Sequence, residues 1–207
     1  NDVSLLFNSG EGTFSQQRRC EAGLNPSCLV AVDLNNDGKP ALAVTNSGSG
    51  AVSVYLNDST GTFASDASIE VGNFPVALVA ADLNNDGTID LASANADAGT
   101  VSILNGNRSG NFVKTAEIGT LANPHGICAI DLDRDQKPEL VVTSFAKGSV
   151  EVLRNLSGGR FAPASEIPVG SSPWAIGSAD FNGDNNRDLA TGCYGGGSIV
   201  IIDGNGL

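Results

Sequence analysis

The sequence predicts an all-β fold: a β-propeller of four-stranded, 49-residue blades, with about four repeats forming one repeat domain over residues 1–207. Three observations predict it. Four acidic loops recur 49 residues apart: Asp33-Leu-Asn35-Asn-Asp37-Gly38, Asp82-Leu-Asn84-Asn-Asp86-Gly87, Asp131-Leu-Asp133-Arg-Asp135-Gln136 and Asp180-Phe-Asn182-Gly-Asp184-Asn185. Other positions keep the same phase. They are Val3, Val52, Val101, Val150 and Ile199; Phe14, Phe63, Phe112 and Phe161, each two residues after a glycine; and Pro26, Pro75, Pro124 and Pro173. Between these markers the runs are short and β-branched, bounded by Gly, Asn, Asp and Pro. None sustains a 3.6-residue apolar period, so almost no helix is expected.

In chain order, Val3–Phe7 matches a third strand of the unit, and the segment from Thr13 a fourth. The unit itself is clearest around the second loop. Val76–Ala81 enters the loop, Leu91–Ala94 leaves it, Val101–Leu104 alternates around Ser102, and Phe112–Ile118 follows the Asn105–Gly110 turn. The last unit supplies a first, second and third strand. The chain therefore divides into a leading two-strand piece, three whole blades, and one blade lacking its outer strand. First strands such as Leu29–Val32 and Ala77–Ala81 are the most apolar, which fits an innermost strand buried on both sides. Small residues such as Ala81, Gly126 and Gly177 suit a crowded centre. Three arrangements of the ends stay open: a four-bladed ring completed by the N-terminal fourth strand, an incomplete piece of a larger ring, or blades completed by another chain through head-to-tail pairing of terminal strands.

The loops carry the chemistry. Oxygen donors at every second position of a tight turn suit a hard divalent cation, here calcium. Positions one, three and five offer Asp33, Asn35 and Asp37; Asp82, Asn84 and Asp86; Asp131, Asp133 and Asp135; and Asp180, Asn182 and Asp184. Position seven offers a backbone carbonyl, from Lys39, Thr88, Lys137 or Asn186. Position nine closes the shell with Asp90, Glu139 or Asp188, whereas the first loop has Ala41 there and is expected to be weakest or empty. The second loop is complete. The sixth residue must take a positive φ, which Gly38 and Gly87 do freely and Asn185 tolerates. Gln136 breaks that rule, so the third loop is expected to be distorted. An EF-hand is excluded, because position twelve is Val44, Ser93, Val142 or Thr191 within a strand pattern, not a bidentate Glu on a helix. The competing reading, Asp-Asn-Gly runs as mere turn formers, explains one loop better than four in phase.

The acidic loops together with Gly61-Thr-Phe63, Gly110-Asn-Phe112 and Gly159-Arg-Phe161 resemble the FG-GAP/VCBS-type repeat of integrin α-subunit propellers and many secreted microbial proteins. The resemblance covers essentially the whole chain. It implies a propeller with calcium in the loop between the first two strands of each blade. Related propellers commonly have seven blades. The resemblance does not imply one function, since such blades serve adhesion proteins, lectins and non-catalytic parts of enzymes.

The net charge is −12 and the pI about 4.2. Twelve of the 23 acidic residues lie in the four loops, so much of this charge is cation-binding capacity. With no basic stripe to neutralise phosphates, nucleic acid is not an expected partner. No apolar run reaches membrane-spanning length, so no membrane insertion is expected. With no Met and an Asn-Asp-Val start, the chain reads as a mature or excised segment of a secreted or extracellular-surface protein. Millimolar extracellular calcium suits such loops. Cys20 and Cys28 flank a Gly-Asn-Pro turn and are candidates for a local disulfide, against two buried free thiols; whether Cys128 and Cys193 meet is left open. Asn57, Asn107 and Asn155 head sequons in the turn between third and fourth strands, where glycosylation is sterically easy; the alternative is a turn that merely favours Asn and Ser.

Catalysis is not expected. There is one His, and no nucleophile elbow, phosphate loop or zinc-type cluster. The repeat already accounts for the paired carboxylates. Ligand candidates come from variation within the periodic scaffold. The slot after each periodic Pro holds Ser27, Val76, His125 or Trp174, and a slot after the second strand holds Phe145 and Tyr194 in the last two units. Aromatic rings with an imidazole suit a sugar or a protein anchor, and equally inter-blade packing. The expected function is a non-catalytic, extracellular, calcium-stabilised module for adhesion or recognition of a glycan or protein. The alternatives are a structural subunit of an extracellular assembly built by head-to-tail strand pairing, and an accessory domain of a larger secreted enzyme.

Overall fold

The computed structural model describes residues 1–58 and 60–204, the side chains of residues 15, 65 and 66 apart. The described residues form seventeen strands and no helix. A leading pair, β1 (Asp2–Asn8) and β2 (Phe14–Glu21), is followed by three four-stranded blades. These are β3 (Pro26–Val32), β4 (Ala41–Asn46), β5 (Ala51–Asn57) and β6 (Phe63–Glu70); β7 (Pro75–Ala81), β8 (Asp90–Asn95), β9 (Thr100–Gly106) and β10 (Phe112–Gly119); and β11 (Pro124–Ile130), β12 (Glu139–Ser144), β13 (Ser149–Asn155) and β14 (Phe161–Pro168). The last sheet has three strands, β15 (Pro173–Ala179), β16 (Asp188–Cys193) and β17 (Ser198–Ile202). Every sheet is an antiparallel meander in chain order. This is a β-propeller arrangement with four first-strand units, and its blade division is the one the sequence predicts.

Each periodic Pro opens a first strand. The residue before it, Asn25, Phe74, Asn123 or Ser172, turns the chain with φ between 53° and 60°. First strands pack on one another from blade to blade, β3 on β7, β7 on β11 and β11 on β15, so they are innermost. They are not buried on both sides, however. β3 alternates half-buried and exposed residues along its length, while the second strands β4, β8 and β12 are buried at every residue. A second strand has a hydrogen-bonded neighbour on each edge and a blade on each face; an innermost strand has only one strand partner. The centre is crowded at Gly126, where a Cβ would lie 2.6 Å from the Trp174 carbonyl oxygen, but a Cβ on Gly177 would meet nothing within 4 Å.

The core consists of the seams between blades. Leu34, Val54, Leu91, Leu104 and Phe112 form one seam, and Leu83, Ile103, Leu140 and Leu153 form the next with Phe161 against them. A bulge in each fourth strand makes this possible. β6, β10 and β14 each carry one extra residue opposite the third strand. The slip reverses which side chains face which seam. Phe112 therefore faces the preceding blade, while Ala116 and Ile118 of the same strand face the following one. The leading pair sits on β3–β6 in the same way, with Val3 and Leu5 against Leu42, Val44 and Tyr55. β2 pairs with β1 and does not complete the last blade, so the ring closed by the N-terminal fourth strand is not the arrangement adopted.

Leu104 is fully buried in the first seam, and Val113 lies exposed on the neighbouring strand. Leu104→Ala is expected to lower unfolding free energy by roughly 2–5 kcal/mol. Val113→Ala should shift it by no more than about 0.5 kcal/mol. Urea denaturation measures both.

Candidate metal loops and an aromatic face

All four acidic loops join a first strand to a second strand, so they share one end of the blades. In each, the position-one carboxylate accepts the amide of the sixth residue: Gly38 to Asp33, Gly87 to Asp82, Gln136 to Asp131 and Asn185 to Asp180, at 2.8–3.0 Å. The position-five carboxylate accepts the amide of position seven: Lys39 to Asp37, Thr88 to Asp86, Lys137 to Asp135 and Asn186 to Asp184. Position three closes a smaller turn where Asn84 and Asn182 accept from Asp86 and Asp184. Asn35 instead donates its side-chain amide to Asp37. The third loop is not distorted. Gln136 takes φ 67°, beside 80° for Gly38, 81° for Gly87 and 65° for Asn185. The amide bond to Asp131 outweighs the cost of an unbranched side chain in the left-handed region.

Two features escape a sequence reading built on the sixth position. The fourth residue of every loop, Asn36, Asn85, Arg134 or Gly183, also has positive φ, between 58° and 80°. The Asn at this position in two loops was the available signal. The position-nine carboxylates also have a second role. Asp90 is fully buried and accepts the amides of Leu83, Asn84 and Gly106, while Asp188 accepts those of Phe181 and Gly204. Glu139 accepts those of Leu132 and Asn155. Each ties its loop to the end of the third strand. Burial pushes the Asp90 and Glu139 carboxyls above their ordinary range, against the pull of these amides. Ala41, in the same slot of the first loop, is buried in the apolar core.

The loops differ in how their oxygens are disposed. Among the described residues, one group of three acids brings an oxygen from each within 4.8 Å: Asp131, Asp133 and Glu139. There the Asp131 Oδ1 is buried and accepts no hydrogen bond. An orphaned buried carboxylate oxygen beside two further carboxylates fits a hard cation. Both Asp33 oxygens, by contrast, are taken by loop amides. Lys137 lies 3.0 Å from Asp135, and its hydrogen bond is the leading cause that holds that carboxyl low. Arg154 lies 3.4 Å from Asp133. Arg134 reaches across to the Asn185 carbonyl at 3.0 Å and the Asn186 side chain, linking the third loop to the fourth.

At the opposite end of the blades, where first strands begin and second strands finish, the four ligand candidates come together. His125 lies 4.9 Å from Phe145 and 4.4 Å from Trp174, ring centre to ring centre. Phe145 meets Trp174 edge-on at 5.7 Å, and Trp174 lies 6.2 Å from Tyr194. Trp174 is 52% and Tyr194 78% exposed. The His125 Nδ1 lies 3.2 Å from the Asn123 carbonyl. Trp174 and Tyr194 also line an open depression with Ile199.

The remaining candidates separate. Cys20 and Cys28 are free thiols, one in the leading pair and the other in the innermost strand β3, so the local disulfide is not formed. Cys128 and Cys193 are also free, and burial pushes the Cys128 thiol up to about 12. Asn107 is exposed in its turn, with its side-chain oxygen capping Ser109 and Asn111. Asn57 is half-buried and donates to the Pro40 carbonyl; the Ser59 of its sequon lies outside the described residues. Asn155 is buried and donates to the carbonyls of Leu83 and Pro138, so it clamps two blades together instead of presenting its amide.

The FG-GAP-like repeat matches over residues 33–93, 82–142 and 131–191, and the chain belongs to that family. No curated protein matches it. Solved structures resemble it at low identity. A putative 6-phosphogluconolactonase from Bacteroides uniformis is 13% identical, with a TM-score of 0.70 over 98% of this chain and 65% of its own. BBS1N, solved in complex with ARL6DN, is 15% identical, with a TM-score of 0.61 over 89% and 58%. A functionally unknown protein from Desulfotomaculum acetoxidans is 14% identical, with a TM-score of 0.59 over 96% and 63%. The chain thus spans about three-fifths of the length of these structures, and the likeness is one of fold.

One buried acid outside the loops titrates against stability. Glu151 accepts the Leu121 amide at 2.8 Å. Burial raises its carboxyl above the ordinary 4.5, the amide opposes this, and Glu166 adds to the rise. A raised folded value means its contribution is fully present below the unfolded value and is lost as pH rises through the folded one. Glu151→Gln keeps an acceptor and cannot ionise. Urea midpoints in EDTA should match wild type at about pH 4 and exceed it at about pH 7.

Proposed function

We propose that this chain is a non-catalytic, extracellular, calcium-stabilised recognition module that binds a glycan or an extracellular protein on its aromatic face. The supporting observation is the convergence of His125, Phe145, Trp174 and Tyr194 from two adjacent blades into one part-exposed cluster. The corresponding slots of the first two blades hold Ser27, Val76, Ser47 and Ala96. A scaffold that repeats elsewhere departs from its period at this surface. Exposed rings in an open depression offer stacking area at low entropic cost, and the His125 imidazole a polar contact.

The acidic loops serve stability in this reading. Asp131, Asp133, Asp135 and Glu139 would hold an ion in the third loop, with the Lys137 carbonyl. Asp82, Asn84, Asp86, Asp90 and Thr88 would do so in the second, and Asp180, Asn182, Asp184, Asp188 and Asn186 in the fourth. Asp33, Asn35, Asp37 and Lys39 form the weakest set, with Ala41 in the last position. A bound ion supplies positive charge to crowded carboxylates.

One bound ion at a hundredfold excess over its Kd stabilises the native state by about 2.7 kcal/mol. The melting temperature is therefore expected to be higher in excess calcium than in EDTA. Asp131→Asn should remove more of that shift than Asp37→Asn. Equal melting in calcium and EDTA overturns the structural role of calcium.

The recognition claim is tested separately, on a glycan array and a panel of extracellular-matrix proteins, with wild type and Trp174→Ala in calcium. The substituted chain should bind at least about tenfold more weakly, equivalent to about 1.4 kcal/mol. Binding that Trp174→Ala leaves unchanged overturns the aromatic face as the site.

A further inference from the structure

The third loop carries the most acids of the four, Asp131, Asp133, Asp135 and Glu139, and it is also where the chain sets its own positive charges. Lys137 Nζ lies 3.0 Å from Asp135 Oδ2, and Arg154 Nη2 lies 3.4 Å from Asp133 Oδ2. Among the described residues, no Lys or Arg pairs with an acid of the second or fourth loop. Both cations depart from the repeat. Lys137 stands in the slot of Thr88 and Asn186, and Arg154 in that of Leu56 and Asn105. The first loop shares half of the device, with Lys39 3.7 Å from Asp37.

The two pairs fall on the oxygens that an ion would use. At position five, Asp135 Oδ1 accepts the Lys137 amide at 2.9 Å, and Oδ2 is held by the Lys137 ammonium. At position three, Asp133 Oδ1 accepts the Asp135 amide at 3.2 Å, and Oδ2 is held by Arg154. At position one, Asp131 Oδ2 accepts the Gln136 amide at 3.0 Å, and Oδ1 is buried with no partner. A loop amide and an ion can share one carboxylate, which has about four lone-pair sites. A full positive charge repels an ion brought to the same carboxylate. Asp131 and Glu139 are thus free of side-chain cations, while Asp133 and Asp135 are already countered.

The countering side chains have solvent to move into. The Arg154 side chain is 59% exposed and that of Lys137 33%. Exposed pairs of this kind are weak, so a divalent ion can displace them. We propose that the third loop is an exchange site: a divalent cation loads it by displacing the Lys137 ammonium from Asp135 and the Arg154 guanidinium from Asp133, and these two side chains hold its affinity below that of a bare four-carboxylate loop. Two protein charges move to solvent as the two charges of the ion arrive. When the ion leaves, the side chains return and offset the repulsion among the acids. The second loop has no such counter-charge of its own.

This inference rests on the calcium reading, through the third loop alone. Calcium titrations followed by NMR read that loop separately through the Gln136 amide, which donates to Asp131 and is kept in every variant. Lys137→Met and Arg154→Met keep most of each stem and remove the charge. Each should lower the calcium Kd of this loop by about threefold, and both together by more. In EDTA the same variants should melt below wild type, because the acids lose their counter-charges. A residue that merely shaped the loop would lower stability and affinity together. Lys147→Met makes the same change in net charge at the opposite end of the blade, on a lysine 3.5 Å from Glu166, and should leave the Kd unchanged. If wild type binds calcium at this loop and both variants bind equally or more weakly, the exchange is overturned and the calcium reading stands. A Kd lowered as much by Lys147→Met also overturns the exchange, as an effect of net charge alone. A Gln136 signal that calcium moves in neither wild type nor variants overturns the calcium reading at this loop, and the exchange with it.

Discussion

Apolar packing between the faces of neighbouring sheets is the interaction on which everything else depends. A four-stranded blade has two faces, and neither can be buried without another blade. Leu104 and Phe112 are buried because the preceding blade supplies Leu34 and Val54; Ala116 and Ile118 pack because the following blade supplies Leu140 and Val142. One residue of bulge lets a single fourth strand serve both seams. The same physics explains why β4, β8 and β12 are the most buried strands and why the first strands, although apolar in sequence, stay half-open along the centre.

The acidic loops are held to this frame by their buried ends. Asp90 and Asp188 fasten loop to third strand through the amides of Gly106 and Gly204. A Cβ at either glycine would lie 2.1 Å from a carbonyl oxygen, of Ile89 or Arg187. The other two blades solve the same contact differently. Asn57 and Asn155 stand in the glycine slot and donate to the carbonyls of Pro40 and Pro138. Two blades thus bring strand and loop together by close approach, and two by a side-chain hydrogen bond. In the two that carry Asn, the side-chain amide is already spent on the fold.

Much of this was legible in the chain itself. The 49-residue phase of Asp, Pro and Phe marks the blades, and the alternation of oxygen donors marks the loops. The site was legible in part. His125, Trp174, Phe145 and Tyr194 stand out as the non-periodic residues of a periodic scaffold, and the fold gathers them. Asn155 misled because a sequon carries no sign of burial. Gln136 misled because intrinsic preference for left-handed backbone is a matter of about 1–2 kcal/mol, which a charge-assisted bond from its amide to the Asp131 carboxylate offsets.

The sequence by itself determined the periodic features: strand count, blade length, loop positions and the identity of the donor atoms. These follow from local residue type repeated at fixed spacing. Only the tertiary structure decided which of the four loops draws its carboxylates together and which cysteines and sequon asparagines are reachable. Those properties depend on the side chain that a neighbouring blade places opposite, and a period read along one chain is blind to what packs across a seam. Asn107 and Asn155 head sequons in the same turn of two repeats, yet one is exposed and the other is buried and donates to the Leu83 carbonyl of the blade before it.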